Sequence, residues 1–283
     1  MIVDLEKIRR LVIVAMFSDD ILMDQLVLKG GNALELVHRL VTRGSRDVDF
    51  SLESDFEDIG DASKRIYNAL VDRFGLEGFA IHDYQFEPKP PIPAEDWWGG
   101  YRVEFKLIAL SRLDTLGHDI ERVRRESVPV GDRGSTVFKI DISKYEFCSG
   151  KIEREIDRFT IFVYTLEMIA IEKVRAICQQ MNAYKQIPPH MKRARARDFY
   201  DLHAILSGRD INLGAPENLE LARQIFDAKR VSLELIGRIE ETREFHRANW
   251  PAVRDSVVGS VGEEFDFDFV TMEIRRLEPL WKV

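Results

Sequence analysis

Between Leu26 and Leu52 the hydrophobic pattern of the chain changes period twice, and that succession restricts the fold more than any other feature. A short apolar run, Leu26-Val27-Leu28, stops at Lys29-Gly30-Gly31. Leu34, Val37, Leu40 and Val41 then recur at spacings of three and four, which predicts a helix. Asp47-Val48-Asp49-Phe50-Ser51-Leu52 alternates, which predicts a half-buried strand. In a strand, residues two apart share a face, so Asp47 and Asp49 point one way while Val48, Phe50 and Leu52 point the other. The expected local structure is strand, glycine turn, helix, strand.

This arrangement has a chemical reading and a plain one. Two carboxylates on one strand face repel each other unless a cation or a proton lies between them. Carboxylate oxygens are what Mg²⁺ takes, with substrate phosphates completing its shell. The glycine pair lets backbone approach a phosphate, at a helix start where anions are favoured. Equally, an alternating strand with outward acids is ordinary, and a glycine pair before a helix is commonly only a turn. The order of the motifs in one short unit is more specific than either alone.

Composition limits the rest. The chain has 283 residues, 45% hydrophobic and 32% charged, as expected of a folded globular protein able to bury a large core. Its net charge of -8 argues against general coating of nucleic acid, where phosphate neutralisation dominates, but leaves room for a local basic patch. The apolar run Leu11–Phe17 is too short to span a bilayer, and Asp4 and Glu6 interrupt any leader-like start, so a cytoplasmic location is expected. Two cysteines, Cys148 and Cys178, suggest neither a disulfide framework nor a metal cluster. The six histidines are scattered, without metal-ligand spacing.

Along the chain, helices are predicted over 4–17 and from the Asp19-Asp20 cap to Met23, then over Ala62–Phe74, with Ile66, Leu70 and Phe74 inward. Strands are predicted over Phe79–Glu87, Tyr101–Leu110, Val137–Ile142 and Ile156–Tyr164, and a helix over Leu113–Arg125. From Leu166 the pattern is almost wholly helical. The expected fold class is therefore α/β (α+β): a mixed sheet flanked by helices over 1–165, followed by a mainly helical domain over 166–283.

The helical part contains further chemistry. In Leu166–Met181, Lys173 lies beside a stripe of Ala170, Val174, Ile177 and Met181. Its ammonium either snorkels to water or points at a bound phosphate, and the spacing leaves both open. The densest basic cluster, Lys192, Arg193, Arg195 and Arg197, is a candidate nucleic-acid or nucleotide contact. Asp198 and Asp201 fall in the first turn of the next helix, where carboxylates suit the dipole, and for Asp201 capping is the preferred reading.

With these residues assembled, the chain resembles the AbiEii/AbiGii toxin family of nucleotidyltransferases, within the polymerase-β-type superfamily, which act in bacterial abortive infection and toxin–antitoxin systems. Lys29-Gly30-Gly31-Asn32-Ala33-Leu34 is similar to the family's K-G-G-T-A-L, and Arg43 to Phe50 to its R-x-S-x-D-[LIV]-D-F. Glu172-Lys173, then Arg197-Asp198-Phe199-Tyr200-Asp201-Leu202, is similar to E-K followed by R-D-x-x-D-L. The resemblance implies a nucleotidyltransferase fold and Mg²⁺-dependent transfer from an NTP, with tRNA the expected acceptor. Asp47 and Asp49 would bind the metal, and Lys173 would hold the triphosphate. Asp198 would be the essential acid of the last motif. Lys29, Gly30, Gly31, Asn32 and Ser45 would line the nucleotide site. Asn32 departs from the usual Thr or Ser but can still hydrogen-bond a phosphate. A third metal-side carboxylate is expected from a later strand: Asp141 is chosen, with Glu104 the rival.

Two other functions are compatible with the same residues. The acceptor is a protein or small-molecule hydroxyl, as the acidity of the chain suggests, or the chain is a non-catalytic nucleotide-binding module, as Asn32 suggests. A cognate antitoxin protein is a further expected partner under the resemblance.

Overall fold

The computed structural model describes residues 4–40, 47–93, 95–117, 119–130, 135–254 and 267–282. The chain divides into two compact units, Met1–Asn32 with Ser45–Val163, and Ala33–Gly44 with Tyr164–Val283. The 33–44 segment thus groups with the helical part, which periodicity does not reveal. Among the described residues no helix is long and apolar enough to cross a membrane.

The first unit opens with α1 (Leu5–Phe17) and α2 (Asp20–Gln25), each started by an aspartate, Asp4 or Asp19, that accepts a backbone N–H of the first turn. Strand β1 (Val27–Lys29) runs into the short turn α3 (Gly30–Asn32). A π-helical segment, Ala33–Val37, begins the second unit. The 3.6-residue helix predicted here is therefore replaced by a wider turn, and the predicted stripe residue Val41 lies outside the described residues. Strand β2 (Val48–Ser51) is followed by α4 (Ile59–Leu76), β3 (Phe79–Lys89) and β4 (Gly100–Ala109).

The helix expected over Leu113–Arg125 is two helices, α5 (Leu110–Leu116) and α6 (Ile120–Arg125). The break falls at Gly117, whose φ of +59° ends one helix, and Asp119 caps the next. After β5 (Phe138–Ser143), the last predicted strand is a hairpin, β6 (Ile152–Ile156) and β7 (Phe159–Val163). Its two-residue turn, Asp157-Arg158, has positive φ at both positions, as the right-handed twist of a tight hairpin requires. No Asn-Gly marks it in sequence; Arg10 binds the Asp157 carboxylate instead.

The seven strands form one mixed sheet in the order β3-β4-β5-β2-β1-β7-β6. The β2–β5 and β1–β7 pairs are parallel and the rest antiparallel. One face carries Val48 and Phe50, Ile140 and Ile142, and Val103, Phe105 and Leu107, all buried. Helices α1 and α4 cover it, with Phe17 set edge-on to Phe50 and Phe74 to Phe105. This burial fixes strand register, because a one-residue slip would turn Val48 and Phe50 outward.

In the second unit, α7 (Leu166–Cys178), capped by Thr165, packs on α8 (Ala196–Gly208) and α9 (Pro216–Asp227). Within the stretch whose pattern is helical, Leu233–Thr242 is a 3₁₀ run that ends in α10 (Arg243–Arg247). Helices α11 (Trp250–Arg254) and α12 (Phe267–Ile274) and a 3₁₀ run, Arg275–Leu280, complete it.

Phe50 follows Asp49 in β2 and is fully buried on the opposite, apolar face of the sheet. Phe50→Ala is expected to lower unfolding free energy by about 3–5 kcal/mol, read as a fall in the urea midpoint at unchanged slope.

Candidate active site

Cross-strand register sets a row of charge across the other face of the sheet. Lys29 pairs with Asp49, Asp49 with Asp141, Asp141 with Arg102, and Arg102 with Glu87. Register partners share a face, so β1, β2, β5, β4 and β3 each contribute one charged side chain. Asp47 lies two residues before Asp49. Burial, then the charge of Asp141, hold its carboxyl above the ordinary carboxylate range, against weaker pulls from Arg102, Lys139 and Lys89. Asp141 behaves oppositely. Burial works against its charge, but Arg102 binds both of its oxygens at 2.9 and 3.0 Å and Lys89 adds a bond at 2.6 Å. Together they bring Asp141 below its usual value. Glu104, the rival carboxylate, is one pleat away, in register with Lys139 and bonded to it at 3.0 Å.

The turn after β1 is shaped around Asp49. Gly30 has φ +69°, and a Cβ there would sit 2.8 Å from Asp49 Oδ2. Any side chain would therefore meet both backbone strain and the carboxylate. Asn32 is fully buried: its amide donates to the Asp47 carbonyl at 2.6 Å and its oxygen accepts from Arg9 at 3.1 Å. It pins the start of β2 where the sequence suggested a phosphate contact. Lys29 is also buried, with its ammonium 3.4 Å from the Glu146 carboxylate. Ser45, with Arg43 and Arg46, lies outside the described residues.

A second constellation lies in the helical unit. Lys173 is only 7% exposed, and its ammonium is 2.5 Å from Asp201 Oδ2 and 3.1 Å from Asp198 Oδ1. It does not snorkel, and Asp201 does not cap. Helix α8 begins at Ala196 without a side-chain cap, and Asp201 is completely buried with its carboxylate on Lys173. The physical reason is the i,i+3 spacing, which puts Asp198 and Asp201 on one helix face toward α7. That spacing is the signal in sequence that could have identified Asp201.

His246 carries no such signal. Its Nδ1 accepts the Arg195 N–H at 3.0 Å and its ring packs on Phe199, which fixes the entry to α8. Burial pushes its pKa down to about 4 despite the charge of Asp198, so the imidazole is neutral at ordinary pH.

The basic cluster divides. Lys192 donates to the Met181 and Tyr184 carbonyls and so ties down the loop after α7. Arg195 lies 3.5 Å from Asp198 Oδ2. Arg193 and Arg197 are exposed. Among the described residues, no three or more His, Cys, Asp or Glu side chains form a ready-made cation cage.

Two outcomes follow from this geometry. Asp201→Ala strands the buried Lys173 ammonium and should cost about 3–5 kcal/mol in chemical denaturation, with Asp198→Ala, which is less buried, costing less. Gly30→Ala forces a strained backbone costing about 1–2 kcal/mol and displaces Asp49, so activity should fall further than a thermal melt alone would account for.

Comparison with known proteins agrees with the motifs. Residues 12–270 match the model of the family described as Nucleotidyl transferase AbiEii toxin, Type IV TA system. Among solved structures, JHP933 from Helicobacter pylori is similar at 18% identity and a TM-score of 0.45, covering 98% of this chain and 90% of its own. An antigenic nucleotidyltransferase-like protein from Paracoccidioides brasiliensis is similar at 14% identity and 0.36, covering 80% and 88%. A search of curated proteins returns no match. With the match running over most of its length, the chain belongs to the AbiEii family of nucleotidyl transferase toxins of type IV toxin–antitoxin systems, and it is a nucleotidyltransferase.

Proposed function

We propose that this toxin transfers a nucleotidyl group from a nucleoside triphosphate to a hydroxyl of tRNA, with Asp47 and Asp49 holding Mg²⁺ and Asp141 beside them. The observation that carries the reading is the carboxylate group on the polar sheet face, where Asp47 is held above its ordinary range partly by Asp141. A cation at that point would relieve the repulsion. The donors are oxygens alone, which suits a hard cation, and Mg²⁺ usually needs only one or two protein carboxylates because substrate phosphates fill its shell. That no three-carboxylate cage is found among the described residues is therefore compatible with this site.

When bound, Mg²⁺ would supply charge stabilisation of the triphosphate and of the group that leaves it. The remaining work falls to the chain. Asp49, set against Gly30, is kept in one place by the absence of a side chain there. Asn32 and Arg9 fix the Asp47 backbone. The Gly30 and Gly31 amides would donate to phosphate oxygens from the turn after β1. In the helical unit, Lys173 is the candidate phosphate cation, its ammonium fixed by Asp198 and Asp201. Arg193 and Arg197 are the cluster's solvent-facing cations for RNA phosphates. A cognate antitoxin is the expected partner, and the cytoplasm the expected compartment.

The test is incubation with each labelled NTP in turn, Mg²⁺ and total tRNA. Label should pass to RNA, disappear on chelation and return with added Mg²⁺. It should fall about 100-fold or more in Asp47→Asn and in Asp49→Asn, because each removes charge stabilisation at the reacting phosphate. Label on protein with none on RNA would shift the acceptor. Nucleotide binding without transfer to anything would remove the enzymatic reading for this chain.

A further inference from the structure

We infer that the hollow beside Asp141, on strands β3 and β4, seats one nucleotide of the acceptor RNA, with Lys89 and Arg102 on its phosphate. The inference rests on the RNA-acceptor reading above and names the place where that acceptor sits.

The hollow has a volume of about 230 Å³ and lies on the polar face of the sheet. Its lining sorts by chemistry into three parts. Lys89 and Arg102 are the cations. Both already hold Asp141, yet they do so with only part of their capacity. Arg102 uses Nε and Nη2, leaving Nη1, and Lys89 uses one of three ammonium hydrogens. A phosphate can therefore bind without evicting Asp141. Arginine's planar fork and lysine's point charge are the usual donors to RNA phosphates.

Gln85 and Glu87 form the second part. Both are exposed, and among the described residues neither has a side-chain hydrogen bond or ion pair. A glutamine amide and a carboxylate are what read the edge of an unpaired base or the hydroxyls of a ribose. Pro88 and Pro91 supply the third part, apolar surface on which a base can lie. Glu104, also in the lining, is already matched by Lys139 and adds no unpaired charge.

Position completes the argument. Arg102 is on β4, two strands from Asp49 on β2, which at ordinary strand spacing is about 10 Å. With the reach of the two side chains added, one nucleotide is long enough to put its sugar hydroxyl near the aspartates when its phosphate is at Arg102. The hollow is at the edge-strand side of the sheet, open for a strand end to enter.

The probe is a short single-stranded RNA carrying 5′-fluorescein, followed by anisotropy with full-length protein and no NTP. Lys89→Ala should weaken binding about tenfold and reduce the salt slope by about one phosphate contact. Lys89→Arg should restore both. Lys64→Ala, an exposed lysine on α4, makes the same change in net charge and should leave binding as it was. In transfer assays Lys89→Ala should raise the acceptor KM by a larger factor than the NTP KM. Absence of probe binding by the wild type, or equal binding by Lys89→Ala and Lys64→Ala, overturns the inference. If Lys89-dependent binding is seen but no label reaches RNA, the subsite stands and the transfer reading falls. If label reaches RNA with a wild-type acceptor KM in Lys89→Ala, the reverse holds.

Discussion

The architecture of the first unit depends on mutual repulsion among carboxylates that the sheet brings together. Asp49 and Asp141 are register neighbours on adjacent parallel strands, and Asp47 feels the charge of Asp141. Burial makes that repulsion more costly, since desolvation already opposes the charges of Asp47 and Asp141. Lys89 and Arg102 neutralise Asp141 from β3 and β4, whereas burial and the Asp141 charge keep Asp47 above its ordinary range. A face that settles one carboxylate and leaves another under strain is suited to taking a cation there.

The apolar face makes this arrangement durable. Phe50 and Val48 are buried against α1, so β2 cannot slide to relieve its acids. Asn32 fixes the backbone at Asp47, and the bare Cα of Gly30 lets the turn close on Asp49. Each of these contacts is local and each constrains a different degree of freedom: register, strand start and turn. The geometry of this candidate site is therefore tied to the stability of the core, because the same alternation supplies both.

The helical unit handles the same difficulty in miniature. A lysine buried beside two carboxylates is stable only while both partners stay in place. His246 remains neutral, which lets its Nδ1 accept the Arg195 N–H at the entry to α8. Lys192 ties the preceding loop to the carbonyls after α7. Residues that look like a basic patch in sequence are thus partly structural, leaving Arg193 and Arg197 at the surface.

The sequence alone determined the elements whose signals are local. The alternation of Asp47 to Leu52 set both faces of β2, the Asp19-Asp20 pair marked a helix start, and the three ordered motifs identified the family. Tertiary structure decided what depends on partners distant in the chain. Asp141 rather than Glu104 is the neighbour of Asp49, because parallel pairing of β2 with β5 follows from how the sheet assembles. Asn32 turned inward because Arg9 and the Asp47 carbonyl, 23 and 15 residues away, offered it better hydrogen bonds than water. Lys173 turned inward for the same reason, since Asp201 reaches it only when α8 packs on α7. Periodicity records which face of an element is apolar; it carries no record of which polar group waits on the other side.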